Sequence, residues 1–457
     1  MPKGSTVSSS LFDKGPSSAP SPADVAEAAV GEPRLRVPHR QQVEMHWRSL
    51  DELLEPGHQA RLVWLAVCGL KLDRWLGPIK AVERNVGRNA TDPRLLVALW
   101  VYATLQGIGS ARELARLCEH HLAYQWLCGG VTVNYHMLSD FRSREGGWSE
   151  LLTQIVGSLL AEDLVTMDRV AQDGMRVRAD AGKSSFRRRA SLESCLEDAR
   201  QQVETLQRLA DESPEELTKR QSAARERAAA ERTQRVAEAI RNCDELQAQR
   251  EATARKSGRK ATPARASTTD PEARVMQFPD GGYRPGYNVQ FSTATDTGII
   301  VGVEVTNEGS DQEQLPPMLD QLKQRYDQVP GESLVDGGFA SLETIDAASI
   351  KGSAVYAPLK EEHKQLAAGK DPYAKKTGDS PAVAGWRARM GTAAAKQVYK
   401  LRCQTAEWVN AQARNRGLYQ MPVRGSVKCR LVGLLYAISH NLLVGMKLRA
   451  EAMAGNR

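Results

Sequence analysis

Residues 332–339 read Glu-Ser-Leu-Val-Asp-Gly-Gly-Phe, an apolar run that stops at a carboxylate and turns through two glycines. A brief apolar run bounded by turn residues is typical of a buried strand, so Asp336 is predicted at a strand end. A second apolar run reaches an Asp-Gly pair at Asp173. Glu407 stands in a helical pattern near the C-terminus. Two strand ends and one helix can bring their carboxylates together, which predicts a shared acidic site.

Such a site has a specific chemistry. Mg²⁺ prefers oxygen ligands and keeps some of its waters, so a few converging carboxylates are sufficient to bind it. Two such ions about 4 Å apart activate water and stabilise the leaving oxygen of a phosphodiester. The chain carries 62 Lys and Arg against 55 Asp and Glu, a formal charge of +7. This basic excess is compatible with a phosphate-rich partner such as nucleic acid.

Size and composition limit the class of protein. A chain of 457 residues predicts two to four folding units, since single cores rarely exceed about 300 residues. Seven scattered cysteines without a CxxC pair argue against a disulfide framework or a zinc site and favour the cytoplasm. Residues 1–35 are rich in Ser, Pro and Ala and predict a disordered tail, not a signal peptide. The longest apolar run, residues 431–446, is too short and too interrupted to predict a membrane span.

Residues 36–160 show a helical pattern and predict an N-terminal helical domain, for which the following helix-turn-helix likeness suggests DNA binding. Within it, Ser110 precedes an amphipathic segment that carries Arg112 and Arg116. A serine before such a segment is typical of a helix N-terminus, and the whole resembles the second half of a helix-turn-helix. A plain packed helix explains the same residues equally well.

The rest of the chain alternates strands and helices around an insertion. Residues 161–182 and 270–450 predict one catalytic domain, with strands at 165–173 and 175–178 and a hairpin at 283–305. A capping box at residues 310–313 predicts a helix before the strand that ends at Asp336. Residues 183–269 predict a helical hairpin followed by a flexible basic linker. The order predicts a mixed α/β sheet covered by helices, as in the ribonuclease H-like fold.

The pattern Y-x2-R-x4-E-x6-R spans Tyr399, Arg402, Glu407 and Arg414. It resembles the C-terminal motif of bacterial insertion-sequence transposases of the DDE type, in which Arg414 takes the place usually held by lysine. Further segments resemble the same family. They are residues 173–179 (its DGTxxxA motif), 335–339 (its ADGGY motif), 269–271, 284–290 and 440–442.

The resemblance implies specific roles. Asp173, Asp336 and Glu407 would be catalytic and would bind two Mg²⁺ or Mn²⁺ ions. The residues expected to hold DNA are Tyr399, Arg402 and Arg414, joined by Arg112 and Arg116 of the helical domain. The protein would cut double-stranded DNA at the terminal inverted repeats of its element and join the ends to target DNA. It would act as a homo-oligomer in the bacterial cytoplasm, associated with the nucleoid and with no membrane.

Several departures and alternatives stay open. Met175 replaces the usual threonine of the first motif, Asp180 replaces a usual asparagine, and the common P-x-F-G turn is absent after Glu407. A transposase-derived protein that binds DNA without cutting it is therefore an alternative, as is a scaffolding role for the helical hairpin. Asp180 is a weaker alternative to Asp173. Asp336 is also explained as a turn former before Gly-Gly.

Glu407 has no basic residue at positions 403, 404, 410 or 411, the helical neighbours that would hold it as a solvated pair. This favours a functional role for its carboxylate. His440, on an apolar helical pattern, is expected to be a packing residue and is assigned no chemistry.

Overall fold

A mixed β-sheet of six strands forms the centre of the fold. The computed structural model describes residues 47–82, 89–144, 146–212 and 219–455, so the predicted disordered tail, residues 1–35, lies outside the described part. The strands are β1 (Arg169–Arg178), β2 (Phe186–Arg187), β3 (Ala266–Ser267), β4 (Arg274–Gln277), β5 (Tyr283–Ala294), β6 (Ile300–Thr306), β7 (Glu332–Leu334) and β8 (Ala354–Tyr356).

Helices precede the sheet, interrupt it and follow it. They are α1 (Gln59–Cys68), α2 (Asp73–Leu76), α3 (Pro93–Leu105), α4 (Ala111–His120), α5 (Leu122–Cys128), α6 (Tyr135–Arg142), α7 (Gly147–Ala161), α8 (Arg189–Glu212), α9 (Lys219–Ser257), α10 (Leu315–Tyr326), α11 (Leu342–Ile350), α12 (Glu362–Ala367), α13 (Pro381–Met390), α14 (Ala393–Arg402), α15 (Trp408–Asn415) and α16 (Ser426–Gly455). Local sequence sets several boundaries. For example, Asp92 caps α3 ahead of Pro93, and the Ser110 hydroxyl accepts from the Glu113 amide at the start of α4.

The strand order is β4-β5-β1-β7-β8, and β6 also pairs with β5. Strands β1, β4, β5 and β6 pair antiparallel, whereas β7 and β8 run parallel to β1 and to each other. Parallel neighbours require a crossover connection. Helices α10 and α11 precede β7 and β8 in the chain and supply those crossovers. The predicted mixed α/β sheet with helices around it is confirmed in outline. The predicted domain boundaries stay predictions.

Helix α16 joins the sheet to the N-terminal helices, because it packs on β5 and β6 and also on α3 and α7. By length and composition it could cross a membrane, but 67% of its most apolar window is buried inside the protein. Its polar residues serve packing. Asn441 bonds the main chain of Ile300 through both its amide nitrogen and its oxygen. His440 contacts the Gly298 carbonyl, and burial lowers the pKa of His440 to about 4.

The structure corrects the predicted pair of strands at residues 165–178. One strand, β1, runs without a break from Arg169 through Asp173 and Gly174 to Arg178. Gly174 is needed for packing and not for a turn. A Cβ added there would lie 2.0 Å from Asp311 Oδ1 and 2.4 Å from Gln290 Nε2. The glycine therefore lets polar side chains close over the strand beside Asp173.

The predicted capping box at residues 310–313 is also wrong. Helix α10 begins at Leu315 with no side-chain cap, and Asp311 is buried instead. Its carboxylate accepts hydrogen bonds from Asn288 and Gln290, both at 2.7 Å, and pairs with Arg176 at 2.7 Å. Ser310, the expected cap, accepts instead from the Gln312 amide at 3.2 Å, ahead of the helix that begins at Leu315.

The insertion contains the two predicted long helices, α8 and α9, packed against each other. Leu192 on α8 and Ala239 and Cys243 on α9 share a small core. The linker predicted at 255–269 is partly regular: residues 255–257 finish α9, and Ala266–Ser267 form β3 against β2.

Candidate active site

The register between β1 and β7 places the first two acidic residues side by side. Val170 pairs with Ser333 and Ala171 with Leu334 in the parallel ladder. Two residues further along each chain stand Asp173 and Asp336, so the same register brings them to neighbouring positions. Asp336 follows the end of β7, where its Oδ1 also accepts from the Gly338 amide at 2.7 Å. It thus forms the turn, and its charge also acts on Asp173.

The third acidic residue joins them through an arginine. The Arg402 guanidinium lies 2.9 Å from Asp173 Oδ1 by one nitrogen and 2.8 Å from Glu407 Oε1 by another. Asp336 is near enough for its charge to act on both Arg402 and Asp173. We call these four residues the acidic cluster: Asp173, Asp336, Arg402 and Glu407. Two carboxylates pair with one guanidinium and the third lies nearby, which leaves an excess of negative charge.

The pKa shifts within the acidic cluster follow from this excess. Burial raises the pKa of Asp173, the nearby charge of Asp336 raises it further, and Arg402 only partly opposes the rise. Burial acts against the charge of Arg402, but the surrounding carboxylates, Asp173 above all, hold its pKa above the usual value. Burial and nearby like charges each disfavour the charged form of a carboxylate, and a further cation would oppose both effects.

A π-helical turn makes the pairing of Arg402 with Glu407 possible. Their separation of five residues would place the two side chains about 140° apart around an α-helix. The turn Cys403–Glu407 is π-helical and contains one extra residue per turn, which returns Glu407 to the face of Arg402. Glu407 therefore does have a basic partner. Regular helical spacing allows pairs only at the i±3 and i±4 positions, so it does not predict this partner at i−5.

A second contact secures Asp173 from the following helix. Asn410 lies one turn beyond Glu407 on α15 and donates its Nδ2 to Asp173 Oδ2 at 2.9 Å. Asn410 is buried and was not predicted as a site residue. Asp311 and Arg176 were also missed, although one signal pointed to them. Strand β5 is buried and carries polar residues at alternate positions, Asn288 and Gln290. Buried polar side chains require hydrogen-bond partners, which indicates another polar group packed against this strand.

The residues predicted to hold DNA lie in different places. Tyr399 is half-buried beside the acidic cluster, and burial raises its pKa to about 12. Arg414 is exposed on α15, two helical turns after Glu407 and on about the same face. Arg112 and Arg116 lie on α4. Arg112 stacks over the Tyr135 ring at 5.2 Å, and Arg116 pairs with Glu113 at 2.6 Å.

The donor chemistry of the acidic cluster fits a divalent metal, but Arg402 fills the space. Over residues 47–82, 89–144, 146–212 and 219–455, no three acidic, His or Cys side chains lie close enough to hold a metal as they stand. The carboxylates are hard oxygen ligands, and three of them against one guanidinium leave two negative charges. The cluster would fit a divalent ion once Arg402 has moved away.

Two other aspartates of the matching motifs have structural surroundings. Asp270 is fully buried and accepts from the Tyr287 hydroxyl at 2.8 Å and from the Gly425 amide at 3.2 Å. Burial raises the pKa of Asp270 to about 6. Asp180 pairs with Arg424 at 2.8 Å, and neither residue belongs to the acidic cluster.

Comparison with known families gives two matches. Residues 48–144 match the family described as Transposase domain (DUF772), and residues 260–410 match Transposase DDE domain. The second match includes Asp336 and Glu407 but begins after the helical insertion, so Asp173 lies outside it. No curated protein and no solved structure matches the chain. The two matches occur in the order of the N-terminal helices and the sheet with its acidic cluster, and the chain belongs to the insertion-sequence transposases of the DDE class.

Proposed function

We propose that this transposase cuts DNA at the ends of its element and joins the freed 3′-hydroxyls to target DNA, on a ribonuclease H-like core. One observation carries the proposal. Carboxylates from β1, from the end of β7 and from the π-helical turn gather around a single cation. Acidic side chains from distant parts of the chain repel one another, so their collection at one point is costly unless a cation uses it.

Asp173, Asp336 and Glu407 are the residues that would hold Mg²⁺ or Mn²⁺, two ions by family likeness. Bound metal would supply activation of water or of a 3′-hydroxyl and stabilisation of the leaving oxygen. The protein's own contribution is to hold the carboxylates in place. Asn410 fixes one oxygen of Asp173, and the β1–β7 ladder fixes the spacing of the two aspartates.

Arg402 is the residue that must change partners. Its planar fork binds carboxylates in the structure described here, and phosphate oxygens offer the same geometry. In the proposal, a DNA phosphate takes the guanidinium from Asp173 and Glu407 and leaves their oxygens to metal. Tyr399 beside it and exposed Arg414 two turns along extend the same phosphate-binding face.

The N-terminal helices would recognise the terminal inverted repeats. Phosphate contacts from Arg112 and Arg116 on α4 would provide affinity and position, and few base contacts would provide sequence. Arg116 already has a carboxylate partner in Glu113, so DNA must compete for it. We further propose that the protein works as a homo-oligomer in the bacterial cytoplasm, close to the nucleoid.

The test uses DNA that carries the sequences flanking the gene. The purified full chain should nick this DNA at the element ends when Mg²⁺ or Mn²⁺ is present and should stop when the metal is chelated. Asp336→Asn and Glu407→Gln should abolish nicking. Asp320→Asn, which removes an exposed carboxylate paired with Lys351 on the surface, is the matched control and should cut normally. Cutting that survives Asp336→Asn and Glu407→Gln would overturn the assignment.

A transposase-derived protein that binds DNA without cutting is the second candidate. The observation that favours it is the guanidinium of Arg402 among the carboxylates, which neutralises part of the cluster without any metal. Binding of flanking DNA without metal-dependent nicking, at any Mg²⁺ or Mn²⁺ concentration, would select this candidate.

A further inference from the structure

A cavity of about 590 Å³ lies apart from the residues of the acidic cluster, where N-terminal helices meet the C-terminal part of the chain. Its walls come from the loop between α3 and α4, from α6, from residues 416–422 and from α16. Its volume is in the range of small-ligand sites, roughly 300–1,000 Å³. The acidic cluster contributes no residue to it, and of its lining residues only Arg112 has a role in the proposed function, as a contact to the inverted repeats.

Arg142 is the most unusual residue of the cavity wall. It is only 5% exposed, its guanidinium stacks on the Trp100 ring at 4.3 Å, and it donates to the Gly109 carbonyl. Its Nε has no hydrogen-bond partner, and no carboxylate in the described part of the chain pairs with it. Burial lowers the pKa of Arg142 to about 10. A buried charge without a counter-charge is strongly unfavourable, so an anion is the missing partner.

Two more arginines line the same space. Arg416 is half-buried with an unpartnered Nη1, and Arg112 stands exposed in the first turn of α4. Asp180 is the one carboxylate among the lining residues, and Arg424 already neutralises it. The amide end of α4 at Ser110 also opens on the cavity, and helix N-termini favour anions. The cavity thus has a positive charge that no described group cancels.

The rim gives the size and class of the ligand. Tyr135 and Tyr419 are 37% and 54% exposed and line the opening, and Arg112 and Arg178 stack over their rings. Exposed aromatic rings next to arginines are the usual surface for nucleobases, whereas the buried guanidiniums suit phosphate. We infer that the cavity binds the phosphate of one nucleotide through Arg142 and Arg416, with Arg112 at the opening. The nucleotide is either part of a DNA strand or free in solution.

The test measures binding by the full chain in two arms, by calorimetry. One arm uses a deoxynucleoside monophosphate, and the other uses a single-stranded oligonucleotide of about five nucleotides, within the site sizes known for such grooves. Arg416→Gln and Arg142→Lys should weaken binding at least about tenfold, because each removes a fork that fits phosphate. Arg74→Gln, an exposed arginine on α2 that pairs with Glu150, is the matched control and should bind normally.

The two arms of the experiment distinguish a free nucleotide from a nucleotide within a DNA strand. Monophosphate binding that depends on Arg416 supports a free nucleotide, and oligonucleotide binding alone that depends on Arg416 supports a strand. Equal binding by wild type, Arg416→Gln and Arg112→Gln in both arms, or no binding in either, would overturn the inference. Arg112→Gln changes an exposed residue and so keeps the test valid if Arg142→Lys fails to fold. Asp336→Asn should bind the nucleotide and the oligonucleotide as wild type does. The test of this cavity is therefore independent of the test of the proposed cleavage.

Discussion

Asp173 and Asp270 are both largely buried, both belong to motifs that resemble the transposase family, and both have raised pKa values. They differ in their neighbours. Asp173 pairs directly with the charged Arg402 and lies near Asp336. The direct hydrogen-bond partners of Asp270 are a tyrosine hydroxyl and a backbone amide, and the charges of Glu272 and Arg424 act on it without a direct bond. Burial is therefore a poor guide to function here, and a charged side chain bonded directly to the buried carboxylate is the better one.

Neutral partners suit Asp270 to a structural role. Through Tyr287 it holds β5, and through Gly425 it holds the residue that precedes α16. It therefore joins the sheet to the helix that packs across it. Asp173 makes no comparable link between main-chain segments. Apart from the adjacent Gly174 amide, its partners are the side chains of Arg402 and Asn410, which can move when a ligand arrives.

The largest expected difference between the two aspartates is in DNA cleavage. Asp173→Asn should slow metal-dependent nicking of flanking DNA by roughly a thousandfold, as expected for loss of several kcal/mol of transition-state stabilisation. Asp270→Asn keeps the shape and the acceptor oxygen and should stay within about threefold of wild type. Rates of single-turnover nicking measure both. Equal losses in the two variants would break the comparison.

The next largest effect is expected when the Arg402 guanidinium is removed. Arg402→Gln leaves Asp173 buried near Asp336 without a counter-charge, which should lower the free energy of unfolding by about 3 to 4 kcal/mol in chelator. Added Mn²⁺ should restore part of that loss. Urea denaturation measures it. Arg402→Lys, which keeps the charge but cannot bridge two carboxylates, should lose less. An Arg402→Gln protein as stable as wild type would show that the carboxylates do not need the cation.

The smallest effect concerns the pH dependence of Asp270. Its pKa in the folded protein, about 6, is above the ordinary aspartate value of 3.8, so its contribution to stability is present below about pH 4 and is lost as pH rises through 6. Asp270→Asn has no titrating carboxyl at this position and so does not lose this stability as pH rises. Relative to wild type, the variant should gain up to about 3 kcal/mol between pH 4 and 7.5, from about two pKa units. Urea denaturation at both pH values measures the gain, and a constant difference would contradict the burial argument.

The sequence predicted the parts of the site that depend on local pattern. The strand ending at Asp336, the hairpin of β5 and β6, and the two long helices of the insertion follow from alternating or helical periodicity. The parallel pairing of β1 with β7 brings Asp173 near Asp336, but Asp173 lies in the middle of β1 and not at the strand end that the sequence predicted.

The remaining features depend on contacts between distant residues. A π-helical turn has no sequence signature, so regular helical spacing does not predict that Glu407 pairs with Arg402. The burial of Asp311 depends on Asn288 and Gln290 of β5, which lie 23 and 21 residues earlier in the chain, so no local pattern predicts it. The sequence also predicted only one of the two roles of Arg402. The motif pointed to DNA phosphate, and the structure adds that the same fork already holds two carboxylates.

The central claim is that Asp173, Asp336 and Glu407 form a cation site that Arg402 fills. Mn²⁺ binding without DNA, followed by electron paramagnetic resonance, tests it without any cleavage. Arg402→Gln should bind Mn²⁺ at least about tenfold more tightly than wild type, since the guanidinium no longer competes. Adding Asp173→Asn or Asp336→Asn to that variant should abolish the gain. Equal Mn²⁺ affinity in wild type and Arg402→Gln, or a gain that survives loss of both aspartates, would contradict the claim.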